Sequence, residues 1–73
     1  MSTIFKNMRG NTEKIRICMA RNHLSRADII RNDGGSGSTI TRIMHGEPVR
    51  PSTFGYFAFA LGVDISDIIS EDD

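Results

Sequence analysis

Four groups of side chains in this sequence could do chemistry: the run Gly34-Gly35-Ser36-Gly37-Ser38-Thr39, the soft ligands Cys18, His23 and His45, the scattered carboxylates, and the arginines. The glycine–hydroxyl run suggests a phosphate cradle. A phosphate-binding loop, however, needs a lysine before its Ser/Thr and a strand leading into it, and neither is present. Cys18, His23 and His45 lack the spacing of a zinc site. No paired carboxylates flank a basic residue as acid–base catalysis requires. The expectation is therefore no enzyme, no metal and no cofactor. What remains is anion recognition by arginine forks and helix N-termini.

The charge distribution points the same way. Net charge is zero, yet residues 1–50 hold all nine Lys and Arg against four acids, Glu13, Asp28, Asp33 and Glu47. Residues 51–73 hold five acids, Asp64, Asp67, Glu71, Asp72 and Asp73, and no base. Such asymmetry suggests one surface for an anion and one kept away from it. Cys18 is the only cysteine, which excludes an internal disulfide and fits a reducing compartment. No apolar run approaches the roughly 20 residues of a membrane span, and the first ten residues lack a signal-peptide core. A cytoplasmic protein with no membrane partner is expected.

The elements that would position these groups are short helices. With 73 residues, one small domain is expected: residues 1–10 as an N-terminal arm carrying Ile4 and Phe5, residues 11–70 as the folded unit, and residues 71–73 as an acidic tail. Asn11 or Thr12 can cap a first helix reaching about Asn22, with Ile15, Cys18 and Met19 on one face. Ser25, with Asp28 three residues on, forms a capping-box pattern for a second helix carrying Ala27, Ile29 and Ile30. Gly34 is the natural left-handed stop for it. Ser36 can cap a third helix turning Ile40 and Ile43 inward and ending at Gly46. Ser52 can cap a fourth, where Phe54, Phe57, Ala58 and Leu61 follow the strongest helical spacing in the chain. Gly62 ends it, and Asp64 with Asp67 opens a fifth carrying Ile65, Ile68 and Ile69. The expected fold is all-α: a compact five-helix domain.

The stretch LSRADIIRNDGGSGSTITRIMHGE resembles, without gaps, the helix-turn-helix of Cro- and phage-repressor-like (Xre-type) DNA-binding proteins. Leu24-Ser25, Gly34 and the Ser38-Thr39-Ile40-x-Arg42-Ile43 run ending at Gly46 carry the match. Arg50-Pro51-Ser52 and Ala58-x-Ala60-Leu61-Gly62-Val63-Asp64 extend it, so that it covers roughly residues 13–69. The chain departs from the pattern at Ile30, where a small residue is usual, and at Asp33 and Gly35, where apolar residues are usual. A motif turn less firmly packed than usual, or slightly reoriented, is expected, with Ile30 refilling part of the lost volume.

The resemblance implies a repressor-like domain with a central helix-turn-helix whose recognition helix, residues 36–45, enters the major groove. Gly37, Ser38, Thr41 and Arg42 then fall at the base-reading positions. Gly37 has no side chain to read with, which shifts specificity to Arg42, whose fork suits guanine. Arg26, Ser36, His45 and Arg50 fall where phosphates would be held. The fourth helix carries Tyr56, Phe59 and Ala60 beyond its core stripe, with Gly55 between turns, so an apolar cover is needed. Ile4-Phe5 or a second copy could supply it. The expectation is a homodimer joined near Tyr56, Phe59, Ile65, Ile68 and Ile69, bound to double-stranded DNA at a near-palindromic operator. The leading function is a sequence-specific transcription regulator, a Cro-like repressor of phage or prophage type acting by operator occupancy. The alternative is a protein-interaction module, an antitoxin or antirepressor-type adaptor, built on the same fold.

Overall fold

The computed structural model describes residues 7–70; Ile4, Phe5 and the residues 71–73 tail lie outside the described residues. Four α-helices follow one another: α1 (Thr12–Arg21), α2 (Arg26–Arg31), α3 (Gly37–Met44) and α4 (Pro51–Leu61). Each helix starts where its sequence supplies a partner for orphan backbone amides. Asn11 accepts from the Lys14 amide, Ser25 and Asp28 form a reciprocal capping box, and Ser36 accepts from the Thr39 amide. The fourth start differs from expectation. Arg50 is the cap position and makes no side-chain cap bond, with Pro51 at the first helical position. Proline belongs there, because its fixed φ suits a helix and its missing N–H would have been unpaired anyway.

The expected fifth helix is a single 3-10 turn, Ile65–Asp67. Its capping box is present, with Asp64 and Asp67 as partners, so the local start signal is obeyed. The helix stops because the next residues are claimed by the N-terminal segment. The Ile68 carbonyl accepts from the Asn11 amide at 2.7 Å, and the Ser70 amide donates to the Arg9 carbonyl at 2.9 Å. Isolated antiparallel bridges join Gly10 to Ile69 and Met8 to Val49. The backbone from Met8 to Asn11 is thus stitched onto two later loops, which closes the helical unit.

The core is one cluster. Ile15, Ile29, Ile40, Ile43, Phe54, Phe57 and Ile68 are fully buried, joined by Cys18, Val49, Ala58, Ala60 and Leu61. Each fully buried Ile or Phe contributes roughly 1.5–3 kcal/mol, so the cluster holds α1 against α3, and α2 against both α3 and α4. The expected inward residues of α3 and the α4 stripe are buried as anticipated. Ala60, expected on the uncovered side of α4, belongs to the core instead, and the reason lies in the turn after α2.

That turn is tight. Asp33, not Gly34, takes the left-handed conformation, with φ of 64°, which Asp tolerates better than most non-glycine residues. Gly34 is needed for space: a Cβ there would sit 2.4 Å from Ile29 Cγ2 and 2.8 Å from Ala60 Cβ. Gly34 is buried and its amide donates to the Ile29 carbonyl at 2.8 Å. Around Gly34, then, the turn is closely packed. Asp33 is exposed and Gly35 half-buried, so no buried apolar anchor is missing at Asp33, and Ile30 stays 43% exposed.

Candidate nucleic-acid interface

Ile40 and Ile43 turn one side of α3 into the core, which fixes the opposite side outward. Ser38 and Arg42, four apart and so neighbours on a helix surface, are both exposed on it. Gly37 starts the helix and is half-buried. A Cβ there would lie 3.5 Å from Arg26 Nη2, ordinary van der Waals contact with an arginine arriving from α2.

That arginine ties the two helices of the motif together. Arg26 Nη2 donates to the Gly37 carbonyl at 2.7 Å and to Thr41 Oγ1 at 2.5 Å. Thr41 Oγ1 in turn donates to the Gly37 carbonyl at 2.9 Å. A hydroxyl has one hydrogen to give, and that of Thr41 goes to its own helix while Arg26 takes one of its lone pairs. What Thr41 has left for a ligand is its methyl and one acceptor position. Arg26 keeps its Nη1 and Nε hydrogens, so bracing α3 does not use up its capacity for an anion.

Ser36 caps α3. Its Oγ accepts from the Thr39 amide at 3.3 Å and donates to Thr39 Oγ1 at 3.1 Å. Ser38 Oγ lies 3.3 Å from Ser36 Oγ; because Ser36 has already given its hydrogen, Ser38 is the donor. Ser36 thus organises the first turn through its side chain.

Arg50 and Arg42 share a polar groove of about 330 Å³ with Asn7, Thr39, Pro48, Val49 and Thr53. His45 stands apart: it caps the C-terminus of α3 and borders a separate polar groove with Arg9, Asn11, Thr12 and Ser70. The helix dipole is negative there, which makes His45 the least favourable anion position of the expected set. Sequence reasoning passed over two contributors. Arg9 joins His45 from the N-terminal segment, and Glu47 lies 3.4 Å (Oε1) from Arg42 Nε.

Away from α3, Tyr56 and Phe59 are 65% and 80% exposed and, with Ser52 and Gly55, line a shallow apolar surface. Ile65 and Ile69 are half-buried. Ile68, expected beside them at an interface, is fully buried in the chain's own core, where its carbonyl holds Asn11. Among the described residues no helix is long and apolar enough to cross a membrane.

No protein-family model and no curated protein matches the sequence. The fold does have a solved counterpart. The crystal structure of the transcriptional regulator VanUg (form II) superposes with a TM-score of 0.70 at 21% identity, covering 96% of this chain and 93% of that one. The likeness is one of fold: a small all-helical domain.

Proposed function

We propose that the chain is a sequence-specific, DNA-binding transcription regulator that works by operator occupancy, in the manner of a Cro-like repressor. The observation that carries this reading is the presentation of α3. An eight-residue helix is held by two buried isoleucines and an arginine brace while Ser38 and Arg42 face outward. Arg26 stands at its N-terminal end and Arg50 beside Arg42. A helix about 12 Å long, polar outward and flanked by cations, suits a major groove. VanUg, a regulator of the same fold, adds support.

In this reading Arg42 and Ser38 read base edges, Gly37 allows close backbone approach, and the Thr41 methyl is a secondary contact. Arg26, Arg50, the first turn at Ser36 and, more weakly, His45 hold phosphates. A homodimer through Tyr56 and Phe59, with Ile65 and Ile69 at its margin, sets two recognition helices about 34 Å apart on a near-palindromic operator. Gly55 supports this. A Cβ there would meet nothing within 4 Å, so the chain's own packing does not ask for a glycine in mid-helix.

The exposed Phe59 also favours a second reading, a protein-interaction module whose main contact is α4. Selection of bound sequences from a random DNA pool at two salt concentrations separates the two. An enriched inverted repeat, bound more weakly at higher salt, supports the regulator; no enrichment at either salt rejects it.

A further inference from the structure

Arg42 does not stand free on α3, and the way its partner is held points to a role. The helix ends in a Schellman motif. Gly46 takes φ of 78°, its amide donates to the Ile43 carbonyl at 3.0 Å, and the Glu47 amide donates to the Arg42 carbonyl at 2.9 Å. This geometry brings the side chains of the third-from-last helical residue and the second residue beyond the cap together, usually as an apolar contact. Here those two residues are Arg42 and Glu47, and an ion pair replaces the apolar contact.

Two features say the pair is not there for stability. Both side chains are more than half exposed, at 59% and 52%, and exposed pairs add little to folding. The contact is also made at Nε, the stem side of the guanidinium, 3.4 Å from Glu47 Oε1. The terminal Nη1–Nη2 fork stays open. That is the edge that matches guanine O6 and N7.

We infer that Glu47 is a positioning residue for base recognition, acting through Arg42; this rests on the DNA-binding reading above. A free arginine side chain samples many rotamers and meets phosphates as readily as bases. A carboxylate beside Nε biases the rotamers and favours those that carry the outer fork along the helix's outward side. It also offsets the positive charge, which matters more for attraction to a phosphate than for a bidentate bond to a neutral base. Arg50, in the same groove as Arg42, has no ion pair among the described residues and keeps its full charge. The two arginines thereby divide the work: Arg50 for backbone, Arg42 for a guanine.

The test uses the full chain and the operator returned by selection, with the Arg42 base pair located as the position where R42A relaxes preference. Glu47→Ala should lower discrimination at that base pair about three- to tenfold. It should also raise affinity for unrelated DNA about two- to fivefold, because a negative charge has been removed near phosphates. E47Q, which keeps an oxygen but not the charge, should recover part of the discrimination. In the R42A background E47A should cause no further loss at that position, since Glu47 acts only through Arg42. Unchanged discrimination in E47A, or an equal loss with and without Arg42, overturns the role of Glu47. Failure of the unaltered protein to select any sequence overturns the DNA reading itself, and this inference with it.

Discussion

Arg26, the first residue of α2, places Nη2 2.5 Å from Thr41 Oγ1 in the middle of α3. With its second bond, to the Gly37 carbonyl, it fixes the angle between the two helices of the motif by a side chain rather than by the turn alone. Bonds to charged groups are worth about 1.5–3 kcal/mol, and exposure of Arg26 puts this one at the low end.

Arg26→Ala is therefore expected to lower stability by about 1.5 kcal/mol in urea unfolding and to weaken DNA binding on all sequences. Arg26→Lys restores the charge but lacks the planar fork that meets both acceptors. It should recover the salt dependence of binding without recovering the stability. Thr41→Val removes the braced hydroxyl and should cost stability while leaving base preference unchanged. A changed preference at one base pair in Thr41→Val would make the hydroxyl a reader after all.

The turn after α2 separates two reasons for a small residue. Gly34→Ala drives a methyl against Ile29 and Ala60 at 2.4 and 2.8 Å, and the Ile29 carbonyl stands 2.9 Å away. Overpacking of that kind costs about 1–3 kcal/mol or more. Asp33→Gly removes the left-handed penalty at φ of 64° and should be neutral or stabilising by up to about 1 kcal/mol. The denaturant midpoint should fall for Gly34→Ala and hold or rise for Asp33→Gly; equal losses would refute this division of labour.

How far such relations are visible in the sequence depends on their range in the chain. The caps at Ser25 and Ser36 and the stripe Phe54, Phe57, Ala58, Leu61 are local patterns, and the structure repeats them. The capping box at Asp64 and Asp67 is equally legible, but the length of the helix it opens is not. Ile68 and Ser70 bond to Asn11 and Arg9, 57 and 61 residues away in sequence, and no local pattern carries that pairing. Ser52 has the side-chain oxygen of a natural cap, whereas Pro51 starts α4 by fixing φ. Glycine is the usual αL residue at a helix end, yet Asp33 holds that conformation and Gly34 supplies space. The space needed around a glycine depends on the neighbouring helix, which local sequence does not reveal. In the candidate site the outward positions Ser38 and Arg42 follow from the inward Ile40 and Ile43. The bonds of Arg26 to α3 cross eleven and fifteen residues and leave no local signal.

Two carboxylates make stability depend on pH. The amide and hydroxyl of Ser25, aided by Arg31, hold the Asp28 carboxyl below the usual carboxylate range. The hydroxyl and amide of Ser66 do the same for Asp64. A group with a depressed folded pKa stabilises the fold above its unfolded pKa, about 3.9 for Asp. That contribution is lost as pH falls through the folded value. Urea midpoints should be flat from about pH 7 to pH 5 as far as these groups are concerned, then fall below about pH 4. Asp28→Asn should be less stable at neutral pH and less sensitive to acid; an acid response identical to that of the unaltered chain would exclude Asp28 as a source.

Arg42 and Arg50 share a groove but are expected to fail differently. Arg42→Ala should cost about 1–3 kcal/mol on the operator and relax preference at one base pair. Arg50→Ala should weaken binding to all sequences and flatten the salt slope by about one unit. Titrations against the operator and its single-base variants at several salt concentrations distinguish the two. Equal losses on every sequence from Arg42→Ala would make it a second phosphate contact.

The apolar surface of α4 gives a prediction in which folding and assembly move apart. Tyr56 and Phe59 are 65% and 80% exposed, so Tyr56→Glu and Phe59→Glu should leave the fold intact. A charge in a packed interface disfavours association, and both variants should sediment as monomers at concentrations where the parent is dimeric. Gly55→Ala is the sharper case. An added Cβ meets nothing within 4 Å in the chain itself, and alanine is favoured over glycine in a helix by about 1 kcal/mol. The monomer should therefore become more stable. If α4 packs closely on its copy at Gly55, the same methyl separates the helices and the dimer weakens, along with binding to an inverted repeat. Binding to an isolated half-site should be unaffected. A parent chain that remains monomeric at high concentration and on DNA would end the dimer proposal, and Gly55→Ala would then register only as a gain in stability.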